Sequence, residues 1–155
     1  MKNLWYYDEF PVGRIGIAEE DGAITRLFFA GVTEVTGYEL AETPLIATAA
    51  AQLREYFAGE RTAFDLPLAP RGTEFQCAAW TALQAIPYGE TRTYKQIAEQ
   101  VGNIKATRAV GMANNRNPIA IIVPCHRVIG ADGSLTGYAG GLDVKRLLLE
   151  LEGRA

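Results

Sequence analysis

The sequence predicts an α+β protein of two units: an amino-terminal sheet with one helix over residues 1–70, and a winged helix-turn-helix-like unit over residues 71–155. Three observations predict it. Apolar residues alternate on both sides of a Glu20-Asp21-Gly22 turn, the pattern of a half-buried hairpin. The stretch 66–72 holds Pro67 and Pro70 and little periodicity, which marks a linker. Beyond it, two capping boxes open two successive helical patterns.

Each element has its own local reason. Strands are expected at 13–18 and 23–29, with Gly22 able to take positive φ between them, and 4–7 adds a further strand. Thr43-Pro44 starts a helix with proline at its first position, where the missing N–H costs nothing. Leu45, Ala49, Leu53 and Tyr56 or Phe57 share one face of it, and Gly59 stops it near residue 58. The first capping box, Thr73-Glu74-Phe75-Gln76, opens a helix with Phe75, Ala79, Leu83 and Ile86 on one side, ending at Pro87-Tyr88-Gly89. The second, Thr93-Tyr94-Lys95-Gln96, opens a short helix through Ile97, Ala98 and Val101, closed by Gly102. A third helix begins near Lys105 and runs through Arg108, Val110 and Met112 to Asn114. Two short helices across a glycine turn, the second basic at its start, suggest a helix-turn-helix. The stretch 119–139, with Asp132-Gly133 as a turn, is expected to be β-rich and to form the wing and a reactive loop. Asp143 is expected to cap a last helix over 144–152, ended by Gly153.

Composition narrows the function. With 155 residues, 48% of them hydrophobic, the chain can bury a real core. No run approaches the roughly 20 apolar residues of a membrane span. The start, Trp5-Tyr6-Tyr7-Asp8, turns acidic and aromatic too early for a secretory signal, so a cytoplasmic location is expected. Two cysteines are too few for a disulfide scaffold, and with one histidine they make a four-ligand zinc site unexpected. Neither metal nor cofactor is expected. The net charge of −3 hides an asymmetry: residues 1–70 carry five basic against eleven acidic side chains, whereas 91–127 carry six basic against Glu99 alone. That segment fits a surface for a polyanion as well as it fits a solvated helix face. DNA binding by so acidic a chain should be sensitive to salt.

The chemistry concentrates in Ile121-Ile122-Val123-Pro124-Cys125-His126-Arg127-Val128-Ile129-Gly130. An apolar, β-branched run ends on a proline, and a thiol then stands beside the only imidazole of the chain. Taken alone, such a pair is more often a buried core cysteine beside a surface histidine. A thiol attacks as thiolate, which needs a nearby base or a positive field. Sequence neighbours in extended chain point to opposite faces, so His126 needs a bridging water or a sharp bend after Pro124 to serve Cys125. It also needs an orienting acceptor, for which Glu152 and Glu150 are candidates.

The run Pro124-Cys125-His126-Arg127-Val128-Ile129 resembles the active-site signature of the O6-alkylguanine-DNA alkyltransferases. The likeness continues through Leu135-Thr136-Gly137-Tyr138-Ala139-Gly140-Gly141, Lys145, Leu148-Leu149 and Glu152-Gly153. Upstream it takes in Phe75-Gln76, Trp80, Ile86-Pro87-Tyr88-Gly89-Glu90, Tyr94, Ile97-Ala98, Arg108-Ala109-Val110-Gly111, Asn114 and Asn117-Pro118. It covers 73–153 densely, and the amino-terminal part by its size and β-then-helix order. The resemblance implies a ribonuclease-H-like first domain and a second domain, 71–155, for DNA binding and alkyl transfer. It further implies a monomer that flips a nucleotide from the minor groove of double-stranded DNA. An alkyl group, typically methyl, then moves irreversibly from O6-alkylguanine onto the protein, with O4-alkylthymine a further candidate substrate.

Carried over residue by residue, the resemblance makes Cys125 the nucleophile and His126 its proton acceptor through a water. Glu152 would orient His126, and Asn117 would tie the reactive loop to the recognition helix. Arg108, with Ala109 beside it, would enter the base stack. Tyr94 would help rotate the nucleotide and sit against guanine. The carbonyls of Cys125 and Val128 would accept from the exocyclic amine, the Ala139 N–H would donate to O6, and Tyr138 would line the same loop. Arg127 is expected in a structural ion pair, and Cys77 as an inert buried thiol in mid-helix. Two departures stand out. Residues 1–72 contain neither Cys nor His, so the zinc site of some relatives is absent, and Ala139 stands where some relatives have Ser. Three rival readings compete: a non-catalytic alkyltransferase-like lesion binder, a winged-helix regulator and a turnover cysteine hydrolase. The first replaces the reactive cysteine, the second has no use for the signature, and the third needs an acyl intermediate that water can release.

Overall fold

Alternation in the first thirty residues becomes a meander of β1 (Lys2–Phe10), β2 (Gly13–Glu20) and β3 (Ala23–Phe29). A two-residue β4 (Glu39–Leu40) adds parallel to β1, giving the order β3-β2-β1-β4. The computed structural model describes residues 1–31, 35–138 and 140–153. Asp21 and Gly22 take φ of 51° and 83°, the positive pair that a tight I′-type hairpin turn needs. The helix α1 (Pro44–Phe57) is capped by Thr43, whose hydroxyl accepts from the Ile46 amide at 3.2 Å. It packs on β1, β2 and β3, and Ile46, Ala49, Leu53 and Tyr56 are buried in the same unit as Ile15, Ile17, Ile24 and Leu27. Gly16 pairs with Phe28 across β2 and β3, and a Cβ at 16 would lie 2.3 Å from the Phe28 ring. Glycine therefore lets that ring lie on the strand, where it joins Leu4 and Ala18 in a small cluster.

The stretch 66–72 differs from the expected linker. Ile24 donates to the Pro67 carbonyl at 2.8 Å and the Ala69 amide donates to Ile24 at 2.9 Å, so Leu68 bridges to the outer edge of β3. An edge strand has backbone groups to satisfy, and one bridge leaves no period to read. The chain divides within this stretch, into compact units Met1–Pro70 and Arg71–Ala155.

The second unit comprises α2 (Glu74–Gln84), α3 (Tyr94–Gln100), α4 (Thr107–Asn115) and α5 (Leu142–Leu151), with a short parallel pair of β5 (Arg92–Thr93) and β6 (Val128–Ile129). Both capping boxes form as expected. A 3₁₀ turn, Ile104–Ala106, precedes α4, which therefore starts two residues later than Lys105. Trp80 is buried and its indole N–H donates to the Ala113 carbonyl at 2.9 Å, tying α2 to α4.

Two expectations are corrected here. Among the described residues of the stretch 119–139, most are irregular, with only Val128–Ile129 in a strand. Tight turns run through it, from the Ile122 amide to Ala120 at 2.8 Å and from the Val123 amide to Ile119 at 3.0 Å, and Ile121 sits at φ 69°. A β-branched residue there costs about 1–3 kcal/mol and persists only where its surroundings over-determine it. Residues 119–128 are buried throughout, so their apolar run reflects depth in the core and not a strand. The second correction concerns Asp143. It lies in the first turn of α5, Gly141 at φ 94° holds the cap position, and no side chain caps the helix. Its charge there still complements the positive helix end.

Candidate active site

Pro124 ends the buried run, and the chain enters a 3₁₀ turn, Cys125–Arg127, closed by the Arg127 amide donating to Pro124 at 3.0 Å. Three residues per turn spread successive side chains around the axis, so Cys125 and His126 need not share a face. Cys125 is 5% exposed, and His126 is fully buried, not the surface histidine of the ordinary reading. Around the thiol, burial pushes its pKa up, while a hydrogen bond with Asn117, the charge of Lys145 and a hydrogen bond with Tyr138 favour the thiolate. Asn117 also donates through Nδ2 to the Val123 carbonyl at 2.7 Å and accepts the Ile119 amide at 3.0 Å, so it staples the tight turns leading into Cys125. The backbone of Cys125 is held as firmly. Its carbonyl accepts from Asn114 Nδ2 at 3.2 Å and from the Val128 amide, which engages both lone pairs. A guanine amine arriving at that carbonyl would have to compete with Asn114.

Behind the thiol, His126 Nε2 lies 2.7 Å from Glu152 Oε2. A carboxylate only accepts, so the neutral imidazole carries its hydrogen on Nε2 and keeps the Nδ1 lone pair open. Nδ1 has no hydrogen-bond partner among the described residues. Burial holds the His126 pKa below the ordinary imidazole range, opposed by Glu152 and reinforced by Arg127 and Lys145. Arg127 makes the expected ion pair, with Nε donating to Glu152 Oε1 at 2.7 Å. Of the two acceptors considered for His126, Glu152 is the one that bonds, and Glu150 is exposed.

The second unit also places the other expected residues. Tyr94 is the first residue of α3; its hydroxyl donates to the Thr136 carbonyl at 3.1 Å and accepts from Thr136 Oγ1 at 3.3 Å. Val128 opens β6 opposite Arg92, and Tyr138 stands half-buried at the thiol. Arg108 and Ala109 lie exposed in the first turn of α4, with Ile104 at 53% and Met112 at 54% exposure beside them in sequence. Ala139 lies outside the described residues. Cys77 is half-buried near the start of α2, with Sγ 3.8 Å from the Gly72 carbonyl, rather than buried in mid-helix. Among the described residues, no group of His, Cys, Asp and Glu could hold a metal ion, and no helix is long and apolar enough to cross a membrane.

Two residues that carry the resemblance, Lys145 and Asn114, were expected in no particular role. Lys145 has no exposed surface and donates to the Thr136 carbonyl at 2.7 Å, the same oxygen that Tyr94 uses. Its signal was present: Lys145, Leu148, Leu149 and Glu152 follow i, i+3, i+4, i+7 spacing, which puts a lysine on the buried face of a helix. Asn114 likewise falls on the buried face of α4 with Val110 and Ala113.

Comparisons with known proteins agree across the whole chain. The family described as 6-O-methylguanine DNA methyltransferase matches twice, its ribonuclease-like domain at residues 3–70 and its DNA binding domain at residues 74–154. A methylated-DNA–protein-cysteine methyltransferase of Methanosarcina acetivorans is 57% identical over 148 residues, covering 94% of this chain and 95% of its own. The constitutive one of Bacillus subtilis is 51% identical over 157 residues, covering 97% and 95%. The crystal structure of Mycobacterium tuberculosis O6-methylguanine methyltransferase superposes with a TM-score of 0.91 at 49% identity, covering 100% of this chain and 95% of the other. That of Mycobacterium tuberculosis OGT in complex with DNA gives 0.91 at 51%, covering 99% and 94%.

Proposed function

The chain belongs to the 6-O-methylguanine DNA methyltransferase family, and from that membership we propose that it repairs DNA by carrying an alkyl group from guanine O6 to Cys125. It is a methylated-DNA–protein-cysteine methyltransferase, and DNA is its partner. The Cys125 sulfur attacks the carbon on O6; the S–C bond forms as the C–O bond breaks, and guanine departs with the electron pair. The thiol proton passes through a water to His126 Nδ1 and finally replaces the alkyl group on guanine. A thioether offers water no acyl carbon to attack, so each molecule reacts once. One observation carries this reading: a buried thiol meets Asn117, Tyr138 and Lys145, while the histidine beside it is held by Glu152.

The remaining roles belong to the same proposal. O6 of a stacked base cannot be approached in line, so the nucleotide leaves the duplex first. We assign its extrusion from the minor groove to Arg108 with Ala109, and its rotation to Tyr94, whose hydroxyl would exchange Thr136 for the base. The Val128 carbonyl takes the exocyclic amine, Tyr138 lines the pocket, and the Ala139 N–H meets O6. The substrate is O6-alkylguanine in double-stranded DNA, with O4-alkylthymine a further candidate. The protein acts as a cytoplasmic monomer without metal or cofactor, and residues 71–155 hold both DNA binding and transfer. The non-catalytic lesion-binding reading needs the thiol replaced, and Cys125 is present.

Mixed with duplex DNA containing O6-methylguanine, the protein should gain one methyl group on Cys125, read by peptide mass spectrometry. Cys125→Ala should bind the same duplex and gain none. Multiple turnovers, or a methyl group on Cys77, would sink the assignment.

A further inference from the structure

Glu152 serves two partners with one carboxylate. Oε2 meets His126 Nε2 at 2.7 Å and Arg127 Nη2 at 3.1 Å, while Oε1 accepts from Arg127 Nε at 2.7 Å. The remaining arm of the guanidinium, Nη1, donates to the Ile86 carbonyl at 2.7 Å, which anchors it to the end of the α2 region. All three side chains are buried, Arg127 at 7% exposure, Glu152 at 5% and His126 at 0%. A guanidinium is planar, permanently charged and shaped for both oxygens of a carboxylate, so it fixes the plane of Glu152 as well as its charge.

The consequence falls on His126. A buried carboxylate with no other counter-charge, 2.7 Å from an imidazole, favours the imidazolium. An imidazolium has no lone pair on Nδ1 and cannot take the thiol proton. Orientation by Glu152 and openness of Nδ1 therefore conflict unless something else balances the carboxylate. We infer that Arg127 is a positioning residue: by occupying both oxygens of Glu152, it lets that carboxylate orient His126 without protonating it. This deepens the proposed function and rests on it. The charged groups acting on His126 are Arg127 on its own turn, Lys145 on α5 and Glu152 just past the end of α5, while Tyr88 stacks on Arg127 with its ring centre 5.7 Å from the guanidinium carbon. Of these, Arg127 and Lys145 lower the His126 pKa and Glu152 raises it, after burial has lowered it most.

The chain has a single histidine, so one imidazole NMR signal reports its protonation without assignment. Wild type, Arg127→Lys and Arg127→Met should be titrated, and single-turnover methyl transfer from a modified duplex followed over the same pH range. In Arg127→Met the His126 midpoint should rise by about one pH unit, and transfer at a pH on the acidic limb should fall about tenfold while recovering at alkaline pH. Arg127→Lys, which can fill the carboxylate only in part, should shift both in the same direction by less. It carries the test alone if Arg127→Met fails to fold. An unmoved His126 midpoint in the folded variants, with transfer reduced equally at every pH, would overturn the inference and leave Arg127 merely structural. If wild-type Cys125 takes no methyl group at all, the functional reading fails, whereas the titration still decides the role of Arg127.

Discussion

Lys145 shows most sharply how one residue carries conflicting demands. Its ammonium has no exposed surface, and burial brings its pKa down to about 8, with the Cys125 charge pulling the other way. The unfolded chain, with lysine near its ordinary value of roughly 10.4, binds the proton more tightly than the folded one. The cost of burying the charge is thus fully present below pH about 8 and is relieved as pH climbs through the interval up to the unfolded value. That difference is at most on the order of 3 kcal/mol. Lys145→Met should therefore be most stabilised relative to wild type near pH 7, and the advantage should shrink toward pH 10 in denaturant unfolding. A difference that stays flat with pH would show that folding leaves the Lys145 pKa at its unfolded value. Retaining so costly a lysine makes sense if its charge serves the thiolate, which it also favours. In sequence Cys125, His126 and Glu152 were legible because a nucleophile, a base and an acceptor are chemically distinctive types. The role of Lys145 was not, although its spacing with Leu148, Leu149 and Glu152 marked a buried face, because lysine on a short helix ordinarily reads as solvated surface.

At the scale of elements, local signals carried the helices. Thr73 with Gln76 and Thr93 with Gln96 satisfy backbone donors within four residues, so nothing distant can override them. Thr93→Ala should cost about 1 kcal/mol in chemical denaturation. It should also loosen the start of α3, where Tyr94 reaches Thr136, and slow transfer from duplex DNA; a variant as stable as wild type would show that the cap is redundant. The exposed first turn of α4 leads to a different expectation. Arg108→Ala should slow repair in duplex by about tenfold or more, since extrusion costs a few kcal/mol, and leave reaction with free O6-benzylguanine nearly unchanged. Equal losses on both substrates would make Arg108 structural. The stretch 119–129 escaped such reasoning. A run of Ile and Val looks alike whether it lies in a strand or in buried irregular chain, and the φ of 69° at Ile121 is imposed by packing that no local propensity announces. Asp143 misled for the converse reason: a good capping residue stood one turn position inside a helix that Gly141 and Leu142 had already begun.

Across the whole molecule the charge is divided between the units, acidic in residues 1–70 and basic through 91–127. Lys95, Lys105, Arg108 and Arg116 are the exposed cations along α3, the 3₁₀ turn, the first turn of α4 and the residue just past its end. Each phosphate they neutralise contributes about 0.9 to the log–log slope of affinity against salt, so the slope for duplex DNA should not exceed about 4. A much steeper one would mean that cations elsewhere in the chain meet DNA. By itself the sequence determined the α+β order, the hairpin, the capped helices and the nucleophile, because turns, caps and reactive side chains are encoded within a few residues. The tertiary structure alone decided that 66–69 closes the edge of β3, that 119–127 is turned and not extended, and that His126, Arg127, Lys145 and Glu152 share one buried charge network. Those outcomes depend on which distant groups exclude water together, and burial is a property of the assembled unit that no short stretch of chain contains.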